Sequence, residues 1–227
     1  MKIKALIAVR SGSVRVSNKN IRRFAGSTLL ELKIKQLKTV KELEGIIVNS
    51  NDDSMLKIAV DLGIDAVKRS DYYASNSVSM SDVYQNMAEN FDADIVMYSN
   101  VTNPLVKTES YSNAINKYKE LQQEIDSLNS AHLIKEFMFL DGKPINYDLK
   151  KQPRSQDLPD IFALNFAFSI IKKEDMIKYK NVIGYKPFLY ELSEIESIDI
   201  DTQFDFDIAE YMYNKTDSHY SPLPAIH

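Results

Sequence analysis

Ala5-Leu6-Ile7-Ala8-Val9-Arg10-Ser11-Gly12-Ser13-Val14-Arg15-Val16-Ser17-Asn18-Lys19-Asn20 is the stretch whose reading decides the fold. It opens on an aliphatic run and turns polar at once, the pattern of a short strand buried on both faces of a parallel sheet. The polar part is a loop of small residues carrying Arg10, Arg15 and Lys19. In open α/β sheets, ligands bind where such loops leave the carboxyl ends of the strands. Ser11, Gly12 and Ser13 are small enough to bring backbone N–H groups onto an anion, and the three cations would neutralise a polyphosphate. On spacing alone, the same residues would serve as well as a solvated polar loop.

Outward from this loop, strands and helices alternate. Leu29, Leu30, Leu32, Leu37 and Val40 mix with lysines at helical spacing, Gly45–Asn49 reads as a strand, and Asp52–Leu62 reads as a helix stopped at Gly63. Asp65–Lys68 is predicted as a strand, Ser81–Phe91 as a helix and Asp94–Tyr98 as another internal strand. That alternation implies right-handed crossovers and a mainly parallel sheet, in a three-layer Rossmann-like α/β domain. The loop itself is not a dinucleotide fingerprint. The second half is less regular. Phe137–Lys143 suggests a strand entering an Asp-Gly turn, Phe162–Ile171 and Lys186–Leu192 read as strands, and Asp205–Asn214 reads as the closing helix. Ser221-Pro222-Leu223-Pro224 cannot continue a helix and is expected to be extended.

A chain of 227 residues suits one sizeable α/β domain, and no internal repeat or interdomain linker divides it. Its net charge of −4 gives no support for a nucleic-acid partner, whereas the local cluster of Arg10, Arg15, Lys19, Arg22 and Arg23 suits a small anionic ligand. The absence of cysteine excludes disulfides and thiolate metal sites. The N-terminal apolar run is too short for a signal-peptide core and no stretch would span a bilayer, so a cytoplasmic protein is expected.

The second informative segment is Ser197-Ile198-Asp199-Ile200-Asp201-Thr202. Apolar and acidic residues alternate, so on a short strand Asp199 and Asp201 would face the same way. Magnesium often takes one or two carboxylates and completes its octahedral shell with substrate phosphates. The plainer reading is an edge strand with solvated acids and a helix cap, with Thr202 bonding Asp205 at the third following position. The two readings are compatible.

Together these segments resemble the acylneuraminate cytidylyltransferases, which join CTP to an acidic keto-sugar and release pyrophosphate. The family loop runs roughly Arg-x-x-Ser-Lys-x-x-x-x-Lys-Asn, and Arg10, Ser13, Lys19 and Asn20 match it. Its central lysine falls on Val14, with Arg15 beside it as the available substitute. Val67-Lys68-Arg69 followed by Ala74-Ser75 resembles an Arg-Pro-x-x-x-Ala-x-Asp region, with Ser70 at the proline and Asn76 at the aspartate. Thr102-Asn103-Pro104-Leu105 resembles a segment by the acceptor sugar, with Asn100 at its glutamine and Val106 at its arginine. Gln152-Pro153-Arg154, Leu158-Pro159 and Asn165 match a further family segment, and Lys135 falls near a substrate-binding lysine.

The resemblance implies transfer of CMP from CTP to the anomeric hydroxyl of an eight- or nine-carbon 2-keto sugar acid. Arg10, Ser11, Gly12, Ser13, Arg15 and Lys19 would hold the triphosphate, and Asn20 and Arg69 would seat the nucleotide. Asp199 and Asp201 would bind Mg2+, and Asn100, Arg154 and Asn165 would grip the sugar. Arg154 offers a planar fork for its carboxylate, although a surface ion pair would look the same in sequence. An antiparallel insertion around residues 133–163 would mediate a homodimer through Phe137, Met138, Phe139 and Leu140. Two alternatives stay open: a nucleotidyltransferase acting on a sugar or polyol phosphate, and a catalytically lapsed nucleotide-binding homologue.

Overall fold

The computed structural model describes residues 1–13 and 15–217, so Val14 and the Ser221–Pro224 stretch lie outside the described residues. The elements run β1 (Ile3–Ala8), the β2–β3 hairpin (Arg23–Phe24, Ser27–Thr28), α1 (Leu29–Lys38), β4 (Ile46–Ser50), α2 (Asp53–Asp61) and β5 (Asp65–Lys68). Next come α3 (Asp71–Ala74), α4 (Met80–Glu89), β6 (Ile95–Ser99), α5 (Thr108–Leu121), β7 (Ser127–Ile134) and the β8–β9 hairpin (Phe139–Leu140, Lys143–Pro144). The chain then forms β10 (Ile161–Lys172), α6 (Lys173–Tyr179), β11 (Pro187–Glu191) and α7 (Gln203–Asp217).

The main sheet has seven strands in the order β11-β7-β10-β6-β1-β4-β5. β10 alone runs antiparallel to its neighbours β6 and β7, and the other pairings are parallel. Alternation along β1 divides the core. Ile3, Ala5 and Ile7 face the layer that holds α1, α2, α5 and α7, while Leu6 faces α4 and α6. The three-layer, mostly parallel architecture expected from the sequence is therefore the architecture observed. Among the described residues no helix is long and apolar enough to cross a membrane.

Local chemistry explains the boundaries. Thr28 and Glu31 form a reciprocal capping box that starts α1, and the Asp52 carboxylate accepts from Ser54 and Met55 N–H to start α2. Thr202 and Asp205 make the same reciprocal exchange at α7, as their spacing predicted. Phe24 seats α7 against the β2–β3 hairpin, edge-on to Phe206 at 5.3 Å and to Tyr213 at 5.7 Å. This packing brings the residues just before α7 beside the loop after β1.

Two sequence expectations need correction. Ser197–Thr202 is not a strand: Ile198 is partly buried and Ile200 fully so, but the backbone is held by the 102–103 loop rather than by a sheet neighbour. Phe137 and Met138 precede rather than join β8, a two-residue strand in an isolated hairpin whose Asp141 and Gly142 turn residues both have positive φ. Phe137, Phe139 and Leu140 are exposed in the single chain. The elements α5, β7 and α6 went unread because lysines, serines and asparagines interrupt their apolar periodicity.

Candidate active site

The carboxyl ends of β1, β4, β5, β6 and β7 open on one edge of the sheet, and the sequence-predicted residues gather there. Val16 is buried in the core and pins the loop after β1, whose turn is closed by bonds from Lys19, Ile21 and Arg22 N–H. Asn20 reaches back to donate to the Arg10 carbonyl at 3.0 Å. The loop is thus tied at both ends, with Arg10 and Arg15 exposed and Lys19 mostly buried.

Two of those cations meet the acidic segment. The Arg15 guanidinium lies 2.8 Å from the Asp201 carboxylate, and Lys19 Nζ lies 3.8 Å from the same oxygen. Lys19 Nζ also donates to the Ile200 carbonyl. Burial pushes the Lys19 ammonium below its ordinary pKa; Asp199 and Asp201 pull it back up, and Arg15 opposes them. The net direction is down. Asp199 is open to solvent yet heavily surrounded by protein, as a residue lining a cleft would be. That crowding raises its carboxyl pKa, the Thr102 hydroxyl lowers it, and repulsion by Asp201 and Asp205 raises it further. Asp199 and Asp201 therefore feel each other and both feel Lys19, although the segment is not a strand.

Arg10 points the other way along the cleft, donating to the Ala74 carbonyl at 2.5 Å and to Asn76 Oδ1 at 2.8 Å. Arg69 is buried and donates to the Val9 carbonyl at 2.7 Å, tying the end of β5 to the end of β1. Its Nε has no partner among the described residues, and burial lowers its pKa. Ser11 is held by Asn51, whose side chain accepts from the Ser11 N–H at 3.3 Å and donates to its hydroxyl and to Asp71. Gly12 adopts φ +82°, a conformation that favours glycine, and Ser13 is partly buried beside it.

The residues expected at the acceptor are engaged differently. Asn100 donates to the Phe166 carbonyl at 2.9 Å. Asn165 is buried, accepts from the Ser130 hydroxyl at 2.6 Å and from Ala167 N–H, and donates to Ser197 at 3.1 Å. Its partners are supplied by the protein. Arg154 stands apart from the cluster, its guanidinium forked onto Asp157 at 2.7 and 3.2 Å on the surface. Lys135 pairs with Asp160 at 2.5 Å. Sequence reading missed Asn51 and the Thr102 hydroxyl. An asparagine directly after a parallel strand was the available signal for the first, and the Thr-Asn-Pro phrase for the second.

No group of three or more acidic or histidine side chains forms a metal cage among the described residues. What stands instead is a carboxylate pair facing a cationic loop across an open edge. That arrangement can hold a polyphosphate between fixed positive and negative groups, with a divalent cation to neutralise the excess charge.

The cytidylyltransferase family profile matches residues 4–215. N-acylneuraminate cytidylyltransferase A of Danio rerio is 26% identical over 92% of this chain, which spans about half (50%) of that protein. Pseudaminic acid cytidylyltransferase of Campylobacter jejuni is also 26% identical, over 94% of this chain and 97% of its own length. A CMP:2-keto-3-deoxy-manno-octonic acid synthetase solved with CTP superposes with a TM-score of 0.72 at 12% identity, covering 95% of this chain and 100% of that one. The mostly parallel fold and the family match over residues 4–215 lead to one assignment: this chain is a nucleotidyltransferase of the cytidylyltransferase family.

Proposed function

We propose that this protein transfers CMP from CTP to the anomeric hydroxyl of an acidic 2-keto sugar of the nonulosonic class and releases pyrophosphate. The observation that carries this reading is the meeting of Arg15 and Lys19 with Asp201 beside Asp199. In the reaction the anomeric hydroxyl gives up its proton to water and its oxygen bonds to the α-phosphorus as the bond to the oxygen bridging the α- and β-phosphates breaks. Arg10, Arg15 and Lys19, with the backbone around Ser11, Gly12 and Ser13, would stabilise charge growing on the leaving pyrophosphate. Asn20 and Arg69 fix the ends of that loop and seat the nucleotide. In-line displacement needs positioning rather than a covalent intermediate.

Asp199 and Asp201 fit a hard divalent cation. They are oxygen donors that repel one another, and Asp201 is held by exchangeable ion pairs to Arg15 and, at 3.8 Å, to Lys19. Magnesium there would polarise the α-phosphate. Arg15, freed from Asp201, would then turn to the phosphates.

Arg154 is our candidate for the sugar carboxylate; a surface pair with Asp157 costs little to open. Asn100 and Asn165 set the acceptor wall. Phe139, Leu140, Ile145 and Leu149, exposed on and beside the β8–β9 hairpin, are the surface we assign to a homodimer, which sedimentation at graded concentration would test. A phosphorylated acceptor is the second reading, favoured by the present pairing of Arg154 with an acid. Pyrophosphate release from CTP, with Mg2+ and a panel of 2-keto sugar acids and polyol phosphates, separates the two; ATP, GTP and UTP serve as controls. Release with one keto acid supports the proposal, and release only with a phosphorylated acceptor overturns it.

A further inference from the structure

Lys33 lies on α1 and is only 1% exposed, apart from every residue assigned to substrate. A buried lysine is costly unless its donors are satisfied. Its Nζ donates to Gln36 Oε1 at 2.9 Å, to the Asn103 carbonyl at 2.9 Å and to the Tyr111 hydroxyl at 2.5 Å. Three acceptors match the three N–H donors of an ammonium. The Tyr111 ring also lies 5.1 Å from Nζ. No carboxylate among the described residues pairs with Lys33, so it is not half of a buried ion pair.

Its most consequential contact is with Asn103. The Asn103 side chain donates to the Ile198 carbonyl at 3.3 Å and to the Asn165 carbonyl at 3.5 Å. The neighbouring Thr102 carbonyl accepts from Ile200 N–H at 2.9 Å, and the Thr102 hydroxyl bonds Asp199. The 102–103 loop is therefore the splint on which the carboxylate segment rests, and Lys33 holds that splint from the core side.

We propose that Lys33 is a positioning residue, fixing Asp199 and Asp201 against the cationic loop through the Asn103 carbonyl. The inference rests on the cytidylyl-transfer reading for its kinetic consequence only. Groups facing Nζ are Gln36 from α1, Asn103 from the loop, and Tyr111 from α5, and the Glu196 carboxylate acts electrostatically on Tyr111.

Lys33→Met keeps an unbranched apolar stem, one atom shorter, and removes its donors, leaving the Asn103 carbonyl buried and unpaired. Amide hydrogen exchange should then rise about tenfold or more in peptides covering 101–106 and 197–201, with β1, β4 and β6 unchanged. Turnover should fall by about ten- to a hundredfold, while the KM for CTP holds. Lys33→Gln, which retains two N–H donors on a shorter side chain, should lie between wild type and Lys33→Met on both readouts and serves if Lys33→Met folds poorly. A lysine with a merely structural role would lower the melting temperature with kcat per folded molecule unchanged. Exchange that is unaltered in both variants, or raised evenly across the sheet, overturns the proposal. Should wild type release no pyrophosphate, the transfer reading falls, and the exchange data alone still decide whether Lys33 positions the segment.

Discussion

The two sides of the cleft are built on opposite principles. The cationic side is a loop whose charged ends rest on replaceable partners, Arg15 on Asp201 and Arg10 on the neutral Asn76. The side we assign to the acceptor is a web of mostly buried neutral groups, in which Asn103, Ser130, Asn165 and Ser197 are linked by hydrogen bonds, with Asn103 Oδ1 left without a partner among the described residues. An exposed ion pair in high dielectric exchanges partners cheaply. A buried hydrogen-bonded network does not, because each group left unpaired costs its desolvation. The first side can reorganise around a polyphosphate, while the second keeps its shape.

The comparison is broken most severely by removing negative charge. Asp199→Asn with Asp201→Asn should cut turnover by about a thousandfold or more, with circular dichroism unchanged, because neither carboxylate supports the core. Wild-type-like pyrophosphate release in the double variant would remove the carboxylate pair from the mechanism. Lys19→Met should come next, at about a hundredfold in kcat/KM for CTP. Its ammonium is the least exposed cation of the loop that faces Asp199 and Asp201.

The same contrast explains what the sequence disclosed. The first half was legible because aliphatic runs such as Ala5–Val9 alternate with helices whose caps, Thr28 and Asp52, are local signals. The loop and Asp201 were brought together by the family resemblance, while the ion pairs of Arg15 and Lys19 with Asp201 were not legible in charge or spacing. Asn165 sat in an apolar run and called for a partner, but nothing local told whether that partner was Ser130 or a substrate. Ser197–Thr202 read as a strand from its alternation, yet strand status depends on a neighbour that sequence does not supply. Lys33 looked like one of several lysines on an amphipathic helix, and only the position of α5 made it buried.

On the acceptor side, Asn165→Leu should cost stability more than chemistry. The Ser130 and Ser197 hydroxyls would lose a partner, a loss of about 2–3 kcal/mol, lowering the melting temperature by several degrees. Melting curves decide this, and an unchanged curve would show that the web is not what fixes that wall.

Lys33 sharpens the contrast through pH. Burial pushes its pKa down to about 7, against an ordinary 10.5 when the chain is unfolded. Between those values the unfolded chain binds the extra proton, so stability rises with pH across that window. Wild type should therefore gain on Lys33→Met from pH 7 toward pH 10, read as the difference between their denaturation midpoints. A difference that stays flat with pH would mean the lysine is not buried as an unpaired base.

Arg154→Ala should have the smallest effect on the fold, because Arg154 is 74% exposed and its pair with Asp157 spans a single turn. The melting temperature should move by no more than about one degree. If the fork turns to the acceptor carboxylate, the acceptor KM rises severalfold while the KM for CTP is unchanged, and lysine fails to restore it because a point charge cannot replace a planar fork. An acceptor KM that does not move would leave Arg154 as a surface ion pair and shift recognition of the acid to the cationic loop. Both sides of the cleft would then depend on the same few cations.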